Sequence, residues 1–223
     1  MSYRNLVAHV LRKKLPLLDS INNSVEFYDY CSNTLGPTPE FANRMALHEH
    51  VAEPLRDGAM TYLEFGVWKG ESLRKWVGLN SHPDSRFVGF DTFTGLPEDW
   101  EAGHPKGSFS TGGRAPEIGD PRATFEIGLF QSTLRPYLER NPISHPLVVH
   151  VDCDLYSSTL FVLSVLDPEF GRGTVLIFDD FHSLNHEFAA WCDYCRAFTH
   201  HVWEPIGKTR SCVQAAVRLR ETR

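Results

Sequence analysis

The 223-residue sequence has no run of about 18 apolar residues, the length a helix needs to cross a bilayer. No membrane partner is therefore expected. It also lacks a basic excess: 22 Lys and Arg stand against 28 Asp and Glu, a net charge of −6. A general nucleic-acid binder would present a positive field to phosphates, so none is expected as a partner. The five cysteines, Cys31, Cys153, Cys192, Cys195 and Cys212, are odd in number and scattered. That argues against a disulfide framework and for a reducing, cytoplasmic location. Met1-Ser2-Tyr3-Arg4-Asn5 lacks the apolar stretch and cleavage site of a secretory signal. There is no internal repeat and no low-complexity segment. What remains, 42% hydrophobic and 22% charged residues, suffices for a single globular domain with a real core.

The first sixty residues read as helical, with Phe41, Met45, Leu47, His48, Val51 and Leu55 recurring near helical spacing. An alternation of strands and helices follows. Strand candidates are Tyr62 to Val67, Arg86 to Asp91, Ala123 to Ile127, Leu147 to Asp152 and Thr174 to Asp180. Helices are expected over Glu71 to Val77, Gln131 to Glu139, Ser158 to Leu166 and Glu187 to Phe198. Apolar strands separated by helices indicate a parallel sheet covered on both faces. His201 to Pro205 and Cys212 to Leu219 add two strands, read as a terminal hairpin turning near Gly207 and Lys208. The expected fold is α/β, a seven-stranded doubly wound sheet with a helical N-terminal extension. Thr94 to Arg122 breaks the rhythm. It is rich in Gly and Pro, and a loop of this length reads as a lid, with a disordered segment as the alternative.

Glu64-Phe65-Gly66-Val67-Trp68-Lys69-Gly70 lies between a strand and a helix with spacing unlike the dinucleotide motif G-x-G-x-x-G. A pyrophosphate would be repelled by Glu64, whereas S-adenosylmethionine, with its sulfonium and ammonium groups, suits a carboxylate. Gly66 would admit that ligand's methionine portion, and Asp91 could accept two hydrogen bonds from its ribose diol. A tight structural turn with a solvated Glu is the plainer alternative. Asp152 ends one strand, and Asp179 and Asp180 end the next, 27 residues later, the length of a strand-helix-strand crossover. All three acids, with Asp154 nearby, thus reach the carboxyl edge, where open α/β sheets bind ligands. Crowded carboxylates repel unless a cation neutralises them or a pKa rises. An all-oxygen donor set favours Mg²⁺.

These segments resemble the macrocin O-methyltransferase family of metal-dependent sugar methyltransferases. The similarity is carried by Tyr62 to Ser72, by Gly89-Phe90-Asp91-Thr92-Phe93-Thr94-Gly95-Leu96-Pro97-Glu98, and by Gly128 to Leu134. Asp152-Cys153-Asp154-Leu155-Tyr156-Ser157-Ser158-Thr159 and Asp179-Asp180-Phe181 complete it. The resemblance implies a Rossmann-like class I methyltransferase fold over residues 59–223, behind the extension 1–58. It implies methyl transfer from S-adenosylmethionine to a hydroxyl of a sugar or glycosylated molecule, with Mg²⁺. Glu64, Gly66, Ser72, Asp91 and Phe93 would hold the donor, and Asp152, Asp179 and Asp180 the metal. Asp154 would be the general base, with His182 the second choice because histidine titrates near neutrality. Gly171-Arg172-Gly173 and the 94–122 segment depart from the family pattern, so the acceptor is the least defined element.

A catechol-type phenol acceptor is an alternative, although Leu155 stands where small catechol enzymes often carry Lys. A nicotinamide oxidoreductase and a non-catalytic S-adenosylmethionine-binding module are further readings, disfavoured by the missing glycine and the intact acids. Cys192-Asp193-Tyr194-Cys195 reads as core packing, as do Trp68 and Trp100, with stacking on a ligand as their functional alternative. The apolar N-terminus is a candidate homodimer surface or acceptor cap.

Overall fold

A computed structural model describes residues 20–101 and 103–223. The part of the helical extension expected over residues 1–19 lies outside the described residues. Residues 20–29 form α1, which widens into a π-helical turn at Tyr30–Thr34. Helix α2 spans Arg44–Ala52, and the Asn43 side chain caps it by accepting from the Ala46 N–H at 3.0 Å. Among the described residues no helix is long and apolar enough to cross a membrane.

The sheet is built from β2 (Thr61–Phe65), β3 (Arg86–Asp91), β4 (Ala123–Ile127), β5 (Leu147–Val151) and β6 (Val175–Phe178), all parallel. Between them run α3 (Glu71–Leu79), α4 (Phe130–Arg140), α5 (Tyr156–Leu166) and α6 (Glu187–Ala197). β7 (His201–Thr209) and β8 (Ala215–Thr222) close the chain as an antiparallel pair, β8 lying beside β6. An eighth strand, β1, comprises only Glu40–Phe41 and pairs parallel with β7, so the order is β1-β7-β8-β6-β5-β2-β3-β4. Two residues carry no periodicity, and the sequence accordingly indicates seven strands.

Successive residues of the central strands face opposite layers. Leu63, Val149 and Leu176 enter one apolar cluster, capped by α5 and α6, whereas Tyr62, Val148 and Ile177 enter the other with Trp76 of α3. Every residue of β2, β5 and β6 is buried. Cys192 and Cys195 of α6 belong to or pack against the first cluster, and burial pushes the Cys192 thiol up to about 12. That is a core thiol, not a reactive one.

The terminal hairpin does not turn at Gly207 and Lys208. Strand β7 continues through them after a register shift near Pro205, and the turn falls at Arg210–Cys212. Gly207 is there for close approach, because a Cβ would stand 2.8 Å from Leu47 Cδ1 of α2. The same helix therefore rests against the hairpin and faces the carboxyl edge.

Gly66 is the tightest point of that edge. Its φ is +93°, and a Cβ would collide with the Asp152 carbonyl oxygen on the adjacent strand end. Gly66→Ala should lower stability by about 3 kcal/mol, or roughly 6–12 °C in Tm. A thermal melt of the variant within a degree of the parent would contradict this packing.

Candidate functional site

A cavity of about 420 Å³ opens at the carboxyl edge, lined by Gly66, Asp91, Asp152, Asp154, Asp179 and Asp180 among others. The glycine turn after β2 forms one side. Asp91 Oδ2 accepts the N–H groups of Val67 and Trp68, both at 2.8 Å, and Oδ1 accepts that of Phe93 at 2.7 Å. A carboxylate oxygen offers two lone pairs. Only one acceptor direction thus remains on Asp91, where the sequence reading has it serve both hydroxyls of a ribose.

Glu64, Ser72 and Phe93 are buried and do not reach the cavity wall. Glu64 instead accepts from the Tyr62 hydroxyl at 2.5 Å and from Ser72 Oγ at 3.4 Å, and lies 3.4 Å from His150 Nδ1. The strand alternation explains this: the side chain of Glu64 points through the sheet, with His150 its register partner on β5. Expected as direct donor contacts, Glu64 and Ser72 form a layer beneath the turn. Phe93 packs edge-on against Phe125.

On the acidic side, ligand atoms of Asp152, Asp154 and Asp180 lie within 4.8 Å of one another. Burial, reinforced by Asp179, pushes the Asp152 carboxyl well above the usual range. Burial and the Asp180 carboxyl raise Asp154 to about 8, and burial and Asp179 raise Asp180. Asp154 has φ +62°, an uncommon conformation for a residue other than glycine, and Trp68 and Phe93 on the same edge share it.

The grouping differs from that expected. Asp179 lines the cavity but is already engaged: Arg44 of α2, which also lines the cavity, donates to Oδ2 at 3.2 Å, and His150 Nε2 lies 3.7 Å from Oδ1. Burial alone would raise Asp179, but His150 and Arg44 outweigh it and hold it below the usual carboxylate range. His150 in turn is pushed up to about 10, because Asp179 and Glu64 outweigh the burial that disfavours its charge. His48 joins His150 and Asp179 in a second, fully buried group. Its Nδ1 accepts from Trp76 Nε1 at 2.8 Å. His182, the second candidate base, is 45% exposed, off the cavity wall, and 3.9 Å from Asp180.

Sequence reading misses Glu187, the residue that joins the two acid-bearing loops. Wholly buried, it accepts the Cys153 N–H at 3.1 Å and the Asp180 N–H at 3.0 Å. Arg44 and His48 were also missed in this role, since nothing in their spacing links α2 to β6. The segment expected as a lid forms the third wall, through Leu96, Trp100, His104 and Phe109. Two hydroxyls hold it against the acidic loops: Ser157 donates to Glu98, and Ser183 to Glu101 at 2.7 Å. Trp68 meets this wall edge-on at Phe109, 5.9 Å between ring centroids.

The Macrocin-O-methyltransferase (TylF) family model matches residues 41–213. No curated protein sequence matches the chain. Among solved structures, the O-methyltransferase NovP is 22% identical over 81% of this chain and 80% of its own, with a TM-score of 0.61. CalS11, described as a TDP-rhamnose 3'-O-methyltransferase of calicheamicin biosynthesis, is 22% identical over 89% of this chain and 93% of its own, TM-score 0.55. CmcI, in a structure with Mg and SAM, is 17% identical over 79% and 72%, TM-score 0.53. At these identities the likeness establishes a shared class I methyltransferase fold.

The raised Asp154 pKa has a defined stability consequence. An unfolded Asp titrates near 3.9, so the folded state retains a proton between about pH 4 and pH 8 that the unfolded chain gives up. Stability therefore falls as pH rises through that window. Asp154→Asn, which tolerates the same φ, should raise the metal-free Tm at pH 8 by a few degrees and leave it unchanged at pH 4. Equal shifts at both pH values would refute the electrostatic origin.

Proposed function

The chain belongs to the macrocin O-methyltransferase family, and from that premise we propose that it methylates a hydroxyl of a sugar or glycosylated small molecule with the help of Mg²⁺. S-adenosylmethionine is the methyl donor of such an enzyme. The observation that carries the reading is the convergence of Asp152, Asp154 and Asp180 in one cavity with the Gly66 turn. CalS11 is described as acting on a TDP-linked sugar, and CmcI was obtained with Mg and SAM; both support the same chemistry here.

The residues present fit both groups. The carboxylates of Asp152, Asp154 and Asp180 offer only oxygen, repel one another and have ligand atoms within 4.8 Å of one another, which suits a hard cation. Asp152 and Asp180 would hold it, with Asp179 or Asp154 completing the set. Gly66 lines the cavity and lets the turn lie directly against the Asp152 backbone, and Asp91 keeps one acceptor free, as a donor's ribose requires. When bound, Mg²⁺ supplies a positive charge that makes a neighbouring hydroxyl more acidic.

The chain's own work is then alignment and proton removal. Methyl transfer from a sulfonium is an in-line displacement, and holding two partners in attack geometry can supply ~7–11 kcal/mol. Glu187 contributes by tying the Cys153 and Asp180 backbones together, so the acids keep their mutual placement. Asp154 is the base: it faces the cavity, and although burial and Asp180 raise its pKa to about 8 in the metal-free cluster, the charge of a bound cation would favour its ionised form. His182 does not line the cavity and is the weaker candidate for that role. The aromatic wall of Trp100 and Phe109 offers apolar surface of the kind that covers a sugar face.

Asp154→Asn should reduce turnover by about 100-fold or more while S-adenosylmethionine affinity is unchanged. A loss of only a few-fold would remove Asp154 as base. Thermal shifts with donor, Mg²⁺ and a saccharide panel test the whole reading, since a ligand at a hundredfold excess over Kd stabilises by about 2.7 kcal/mol. A shift with NAD and none with S-adenosylmethionine would overturn it.

A further inference from the structure

At the opposite, amino edge of the sheet, Asp167, His200 and His201 meet outside the cavity just described. Asp167 opens the short turn Asp167–Glu169 after α5, and His201 opens β7. His200 Nε2 lies 3.4 Å from Asp167 Oδ2, and His201 Nε2 lies 3.2 Å from Oδ1. Neighbours along a strand ordinarily point to opposite faces. Here both rings turn to one carboxylate, 4.0 Å apart between centroids.

Two imidazoles sharing a carboxylate is the plain reading, but it leaves something unexplained. The His201 side chain is 2% exposed, and its Nε2, although 3.2 Å from Asp167 Oδ1, is not aligned for a hydrogen bond to it. The outer contacts are those of a ligand set. His201 Nδ1 lies 3.1 Å from Thr222 Oγ1, which orients the ring and frees Nε2, and the Tyr194 hydroxyl donates to Asp167 Oδ1 at 2.8 Å. Burial and His200 hold His201 below its usual range, in the neutral form a metal requires. Ligands about 2.0–2.1 Å from a tetrahedral ion stand about 3.3 Å apart, close to the 3.2 Å between His201 Nε2 and Asp167 Oδ1, and one ligand atom from each of the three residues lies within 4.8 Å of the others.

We propose that Asp167, His200 and His201 bind a borderline divalent transition ion, for which Zn²⁺ fits best. Two nitrogens and one oxygen suit Zn²⁺ or Co²⁺ rather than Mg²⁺. His200 is 40% exposed, which leaves the fourth position open to water. The ion would fasten the end of α5 to the start of β7, independently of the methyl-transfer site.

The test titrates the full chain with Co²⁺ in saturating Mg²⁺, which occupies the acidic cluster, and then displaces it with Zn²⁺. One equivalent should give the visible bands of tetrahedral cobalt and quench Trp203, whose ring lies 5.9 Å from that of His201. His200→Ala, with folding checked by circular dichroism, should weaken Zn²⁺ binding roughly tenfold or more, as should Asp167→Asn. Absence of tetrahedral bands, or the same affinity in His200→Ala, would overturn the proposal.

Discussion

Repulsion among carboxylates confined to one sheet edge is the constraint around which this molecule is arranged. Asp152, Asp154, Asp179 and Asp180 all line one cavity because parallel strands deliver their ends to the same side. Their charges are managed in two ways. Burial and mutual repulsion raise the pKa values of Asp152, Asp154 and Asp180, disfavouring their charged forms, while His150 and Arg44 hold that of Asp179 down. Folding tolerates the arrangement, and the cost is what makes the edge receptive to a cation.

The supporting residues come from every layer. Glu64 and His150 face each other across β2 and β5, linking the glycine turn to Asp179 by a buried polar row. Helix α2 approaches from the other side with Arg44 and His48, and it can do so because Gly207 lets Leu47 press against the hairpin. Glu187 reaches from α6 to two backbone amides at once. The glycine turn, the acids, α2 and α6 are therefore joined in one connected set of contacts.

Much of this was legible along the chain. Motif order and strand spacing placed the acids on one edge and the turn beside it, because both are local consequences of β-strand length and direction. The partners of the acids were not legible. Glu64 reads as a ligand contact, yet alternation along β2 sends it beneath the site to Tyr62 and Ser72. Asp91 reads as open, yet three amides of its own turn occupy most of it. The hairpin turn was misplaced because a glycine needed for packing resembles one needed for turning.

By itself the amino-acid order determined the doubly wound class, the family and the identity of the acidic residues, since each depends on short-range periodicity and on contiguous motifs. Only the tertiary structure decided which three carboxylates group, which one is held by Arg44 and His150, and that Glu187 staples the loops. Those outcomes depend on side-chain directions between groups up to 135 residues apart in the chain, and such directions exist only once the layers have packed.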